Sequence, residues 1–195
     1  MLKGEKVVLR AWEEHDALLY YEGLNSLAFR FLEDTAEVLP VSLDKAKEYI
    51  SSYGKHEGET GFNFAVLDKN QKLIGSCCYK NLSLKNRTAW VAGGVFSPDD
   101  WGKGYGSDFF RVLISYLFEE MNLRKIFLDV FAFNERAVKL YKKLGFTEEG
   151  RLKECVYRSG EYHDELIMGL KREDFKLTLN FFQSDLIPGL AHHRR

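Results

Sequence analysis

The order of hydrophobic and polar positions in this chain predicts strands and helices in mixed succession. Val7, Val8 and Leu9, followed by Arg10, predict a first strand. Residues 18–31 are apolar-periodic and predict one or two helices, in a region broken by Pro40. Ser42 is a partial N-cap for a helix whose apolar face is Leu43, Ala46 and Ile50. A polar, glycine-rich loop over 54–61 closes it. Residues 62–66 alternate, Asp68-Lys69-Asn70 signals a turn, and 73–79 return as a second strand. Residues 89–96 predict another strand, in which Gly93 and Gly94 mark a bulge or a close approach to the backbone. A glycine-rich turn over 102–107 leads into an apolar helix over 108–121, and 125–131 is again a strand. Asn134 N-caps a helix with Ala137, Leu140, Tyr141 and Leu144 on one side. Lys142 and Lys143 lie in its last turn, and Gly145 stops it. A closing hairpin follows, with strands over 152–157 and 162–170 around Ser159-Gly160.

This alternation predicts the α/β class: a central, twisted mixed sheet of six to seven strands flanked by helices on both faces. A chain of 195 residues suits one domain, placed at 1–175, with a C-terminal extension or tail at 176–195. The segment 171–195 reads as a helix or an extended stretch ending in the solvated residues His192-His193-Arg194-Arg195. Lys plus Arg is 28 and Asp plus Glu is 29, so the basic excess of a general nucleic-acid binder is absent. No apolar run approaches the ~20 residues that cross a bilayer, so no membrane partner is expected. Cys77, Cys78 and Cys155 form no C-x-x-C pair and read as reduced thiols of a cytoplasmic protein. No metal site is expected, because no His/Cys/Asp/Glu group has ligand spacing.

The stretch from Val95 to Ser107 carries the strongest chemical signal. A strand ends, a loop turns on Gly102, Gly104 and Gly106, and a helix begins. Glycines let backbone N–H groups crowd around a ligand, and a helix N-terminus adds unpaired donors and partial positive charge. That combination binds phosphate or pyrophosphate. A tight glycine turn with no ligand is the alternative. The G-x-G-x-G spacing matches neither the P-loop nor the dinucleotide-binding G-x-G-x-x-G pattern.

Trp101-Gly102-Lys103-Gly104-Tyr105-Gly106 resembles the acyl-CoA loop of the GNAT N-acetyltransferases, Q/R-x-x-G-x-G/A, with Trp101 where Gln or Arg is usual. The run from Asn134 to Phe146 resembles that family's N-x-x-A-x-x-x-Y-x-x-x-G-F helix. Gly160-Glu161-Tyr162-His163-Asp164 resembles the closing hairpin of the branch that includes ribosomal-protein alanine and spermidine acetyltransferases. Val8-Leu9-Arg10 with Glu14-His15-Asp16 suits that branch's opening. The resemblance covers about residues 5–175. It implies direct transfer of an acetyl group from acetyl-CoA to a primary amine of a small molecule or a protein N-terminus. It also implies that acetyl-CoA is held by Val95, Phe96, Trp101, Gly102, Lys103, Gly104, Tyr105, Gly106, Ser107 and Asn134. The strand from Ala89 to Phe96 would pair its backbone with the amides of the pantetheine arm, and an N–H near Val95 would serve the oxyanion. Tyr141 becomes the catalytic residue that serves the departing thiolate. On periodicity alone it is a core tyrosine.

The base that frees the amine is not readable from the sequence: Glu33, Asp129 and His163 are candidates. Glu33, Asp34 and Glu37 could instead form an acidic patch for a cationic acceptor. Residues 24–50 and 152–164 are expected to line the acceptor site. Polyamine, protein N-terminus, nucleotide-linked amino sugar and antibiotic all remain open as acceptors, as does a homodimer. The rival reading is a non-catalytic acyl-CoA sensor.

Overall fold

The structure, a computed structural model, describes residues 1–33, 38–53 and 61–176. The loop expected at 54–61, apart from Gly61, lies outside them. So do Asp34, Glu37 and the chain from 177 onward.

Among the described residues eight strands form one sheet: β1 (Leu2–Lys3), β2 (Val7–Arg10), β3 (Phe62–Asp68), β4 (Leu73–Ser83), β5 (Thr88–Val95), β6 (Lys125–Phe131), β7 (Thr147–Arg158) and β8 (Glu161–Lys171). Their spatial order is β1-β2-β3-β4-β5-β6-β8-β7, and every neighbouring pair is antiparallel except β5 and β6. The helices are α1 (Ala17–Leu24), α2 (Leu27–Glu33), α3 (Leu43–Tyr53), α4 (Tyr105–Glu119) and α5 (Glu135–Lys143). The class is the expected mixed α/β, with one strand more than the upper expectation. The two-residue β1 at the edge is too short to produce a periodic signal.

Alternation along the strands divides the core between the two faces of the sheet. Phe64 and Val66 of β3 join Val7, Leu9, Ile126 and Leu128 beneath α4 and α5, which contribute Phe109, Phe110, Leu113, Leu117 and Tyr141. Ala65 and Leu67 point the other way and meet Tyr20, Phe29, Ala46 and Ile50 of α1, α2 and α3. Arg10 grips the buried Asp16 through two bonds of 2.7 and 2.8 Å, which ties the end of β2 to the start of α1. In the closing hairpin, Asp164 accepts from the Glu154 N–H at 3.0 Å and from Arg151 at 2.9 Å. Those bonds brace the irregularity between Leu152 and Val156, where the β7–β8 register shifts.

Asp108, in the first turn of α4, is almost fully buried. It accepts from the N–H groups of Glu5, Lys6 and Val7 at 3.2, 2.7 and 3.0 Å. The bonds fasten the segment between β1 and β2 to the helix that opens the site. In Asp108→Ala, the part-buried amides of the exposed residues Glu5 and Lys6 can turn to water, whereas the bond of the Val7 amide is buried and its donor cannot. The expected loss is therefore about 2–3 kcal/mol, near one charged bond plus an orphaned donor rather than three full bonds. A fall in the urea midpoint at constant m would show it.

Candidate active site

The site exists because β5 and β6 part company. They pair only from Thr88 to Trp90 against Lys125 to Phe127, while β5 keeps pairing with β4 as far as Val95 and β6 with β8 as far as Phe131. Beyond Trp90 the parallel neighbours splay, and two cavities open into the gap. The bulge expected at Gly93-Gly94 is absent, since β4 and β5 run in continuous register from Gly75↔Val95 to Lys80↔Trp90. The glycines answer to close approach instead. A Cβ on Gly94 would lie 2.7 Å from the Glu33 carboxylate and 2.7 Å from the Phe29 ring.

The first cavity, about 220 Å³, is walled by the glycine loop, the end of β5 and one side of α5. Ser97 accepts from the Asp99 N–H and caps a short turn at Pro98–Asp100. The Trp101 indole N–H then donates to the Val95 carbonyl at 2.8 Å, pinning the loop to the strand end. Gly104 follows with φ +89°, the left-handed conformation that suits glycine, and α4 starts at the next residue. Asp108 is the first residue whose N–H bonds back into the helix, to the Gly104 carbonyl at 3.1 Å. The amides of Tyr105, Gly106 and Ser107 thus form an N-terminal donor set at the cavity wall. The Arg136 guanidinium stacks 3.8 Å above the Trp101 ring. An indole stands where the resemblance expects Gln or Arg, and the cation it carries on its face comes from α5.

All but two of the residues expected to hold acetyl-CoA line this cavity: Val95, Trp101, Gly102, Gly104, Tyr105, Gly106, Ser107 and Asn134. Phe96 is buried among Phe29 and Tyr20 on the opposite face, and its N–H is committed to the Ile74 carbonyl at 3.0 Å. Lys103 projects to solvent and pairs with Asp100 at 2.7 Å. Asn134 does two things: it caps α5 by accepting from the Ala137 N–H at 3.2 Å, and it lines the cavity. Arg136 and Lys6 had no assigned role in the sequence reading. Lys6 donates to the Lys103 carbonyl at 2.7 Å and brings a positive charge beside Gly104.

The second cavity, about 70 Å³, opens across the splay and is lined by Glu33, Asp129 and Glu165, with Lys80 as its cation. Leu32, Glu33, Gly93, Asn134 and Tyr141 belong to both cavities and mark their junction. Tyr141 is buried, edge-on to Phe110 at 5.2 Å. Desolvation, then the Glu33 and Asp129 carboxylates, push its pKa well above that of an ordinary phenol, so it stays protonated. The Glu33 carboxyl is surrounded by protein, and desolvation followed by the charge of Asp129 pushes its pKa up to about 8. Arg136 and Lys80 pull the other way. Part of Glu33 also faces solvent, which screens the charge and tempers that rise. Burial, then Asp129, raises Glu165 as well. His163, the third candidate base, packs 4.8 Å from the Phe133 ring and lines neither cavity.

Comparison with known proteins gives the family. The model of the family described as "Acetyltransferase (GNAT) domain" matches residues 6–147. The chain is similar to the spermidine N(1)-acetyltransferase of Vibrio cholerae serotype O1, with 31% identity over 165 residues, 83% of this chain and 90% of that protein. It is also similar to the SPbeta prophage-derived uncharacterized N-acetyltransferase YokL of Bacillus subtilis, with 26% identity over 175 residues, 90% of this chain and 95% of that one. Among solved structures it is similar to the spermidine N-acetyltransferase from Vibrio cholerae in complex with CoA and spermine. The TM-score is 0.75 and the identity 28%, covering 86% of this chain and 96% of the other.

Proposed function

This chain belongs to the GNAT acetyltransferase family, as an enzyme that transfers acetyl groups from acetyl-CoA to amines, and from that premise we propose that its acceptor is an aliphatic amine carrying a second positive charge, of the polyamine type. The observation behind this reading is the composition of the second cavity: among the described residues it has three carboxylates, Glu33, Asp129 and Glu165, against the single cation Lys80. A dicationic chain offsets that charge excess, whereas an amine with a neutral tail leaves part of it uncompensated. The relatives named for spermidine support the same class.

The geometry supports a role for each part of the site. Acetyl-CoA, when bound, supplies the activated acetyl thioester. The N-terminal amides of α4 and the Arg136 and Lys6 cations suit its pyrophosphate. The splayed edge of β5 suits the amides of its pantetheine arm. The Tyr141 hydroxyl serves the sulfur. The hydrophobic cluster beneath α4 and α5 runs from Val7 to Phe175, which fits a single domain over 1–175. Cys77, Cys78 and Cys155 are all free thiols, which fits the cytoplasm. No helix among the described residues is long and apolar enough to cross a membrane.

An acceptor panel tests the reading. CoA release with spermidine, spermine or a short diamine is expected to exceed that with a monoamine of equal length by about tenfold in kcat/KM. That factor corresponds to ~1.4 kcal/mol for one partly screened ion pair. Preference for the monoamine, or for a peptide N-terminus, would reject the polyamine assignment.

A further inference from the structure

We propose that Glu33 is the catalytic base that takes the proton from the incoming ammonium at the junction of the two cavities. This rests on the amine-acetyltransferase reading and adds the residue that the sequence left undecided. Three carboxylates line the acceptor cavity, but only Glu33 also lines the cofactor cavity. Asp129 and Glu165 border the acceptor side alone. Of the five residues shared by both cavities, two titrate, and they are Glu33 and Tyr141. A base and a proton donor therefore flank the gap where the amine must meet the thioester.

The position is held by the strand opposite. Gly94 has no side chain, so the Glu33 carboxylate can lie directly against the β5 backbone at the splay; any Cβ there would collide with it. Phe29, one helical turn back on α2, occupies the same clearing and is buried against Phe96. Glu33 thus reaches the junction from a helix whose other face is anchored in the core. Its exposed part leaves a path for the proton to water.

The electrostatics suit the task. Burial disfavours a charge on Glu33, and Asp129 of β6 repels one, while Arg136 of α5 and Lys80 of β4 attract it; Glu165 of β8 lines the same cavity, and Tyr141 of α5 faces Glu33 uncharged. The balance raises the proton affinity of Glu33 toward that of an alkylammonium, whose pKa is about 10.4, and so narrows the uphill step. A bound ammonium then favours the ionised carboxylate.

The protons balance. One ammonium N–H bond breaks, its electron pair stays on nitrogen, and the proton forms an O–H bond on Glu33. Nitrogen forms the bond to the acetyl carbonyl carbon, and the carbon–sulfur bond breaks with its pair on sulfur. Sulfur takes the Tyr141 hydroxyl proton, and the second nitrogen proton restores that hydroxyl. Glu33 returns its proton to water, for a net release of one H⁺.

Glu33→Gln keeps the shape of the side chain and removes the base. With spermidine near pH 7, kcat is expected to fall ~10²-fold while acetyl-CoA affinity by calorimetry is unchanged. The wild-type rate should fall with decreasing pH as Glu33 protonates, along a limb lying above the ordinary carboxylate range. In Glu33→Gln that limb should vanish, the rate climbing with free amine instead. Glu33→Asp should recover part of the loss. With a weakly basic amine that is already neutral at the assay pH, Glu33→Gln should come within a few-fold of wild type. A raised KM with an unchanged pH limb, or an equal loss with the neutral amine, would make Glu33 a binding residue and overturn the proposal. Absence of transfer by the wild-type protein to any amine would instead overturn the acceptor reading beneath it.

Discussion

Gly104→Val is expected to abolish stabilisation of this protein by acetyl-CoA while leaving a folded chain. At a ligand concentration a hundred times Kd, a ligand specific to the native state adds about 2.7 kcal/mol. For a chain of this size that corresponds to a rise in Tm of about 5–10 °C. The substitution acts through the backbone rather than through crowding. A Cβ at this position would meet only the end of the Lys6 side chain, at 3.1 Å, and a lysine amine can swing away. The φ of +89° is harder to accommodate, because a β-branched residue there costs about 1–3 kcal/mol. The loop can shed that strain by rotating, but rotation turns away the amides of Tyr105, Gly106 and Ser107. A hundredfold loss of affinity would cut the stabilisation to about 0.4 kcal/mol at the same ligand concentration, a shift of roughly 1–2 °C. Near-UV circular dichroism and the melting point without ligand check the fold, and calorimetry measures Kd. Retention of the full thermal shift by a folded Gly104→Val protein would place the pyrophosphate elsewhere.

The parts of this architecture legible in the sequence are those with a local physical cause. The alternation of Phe64, Ala65, Val66 and Leu67 sorts these residues between the two cores. The Asn134 cap, the Gly145 stop and the turn at Ser159-Gly160 all fall where side-chain chemistry puts them. Helix α4 begins three residues before the expected Asp108, because Gly104 in the left-handed conformation serves as its cap. Strand β7 extends back to Thr147, well before the expected start at 152. Its first residues, Thr147, Glu148 and Glu149, are polar and exposed on an edge strand, so their conformation is dictated by pairing with β8 and leaves no periodic mark. The reason for Gly94 was equally hidden, since the atoms that need its space belong to Glu33 and Phe29 of α2. The same holds for the charge at the junction. Glu33, Lys80, Asp129 and Glu165 come from four separate elements, and only the splay of β5 from β6 gives them a common cavity.

Tyr141→Phe is the second large effect expected. The ring holds α5 against the core, edge-on to Phe110 at 5.2 Å and 88° and to Phe146 at 6.0 Å and 63°. Phenylalanine keeps those contacts, so stability should change by less than about 1 kcal/mol. The lost group is a hydroxyl whose proton is held more tightly than in a free phenol. Such a group does not ionise on its own near neutral pH, yet it can donate to a thiolate forming beside it and be reprotonated by the amine. Removing it is expected to lower kcat ~10²-fold with little change in acetyl-CoA affinity, the pattern of an interaction made mainly in the transition state. The deficit should shrink with a thioester of a more acidic thiol, which departs without help. Glu33 takes the first proton of the nitrogen and Tyr141 is restored by the second within one transfer, so the doubly substituted protein should lose less than the product of the two single losses. A single-turnover rate equal to wild type in Tyr141→Phe would remove the tyrosine from the chemistry. The sulfur would then take its proton from water, and the residue's place between Phe110 and Phe146 would be its whole contribution.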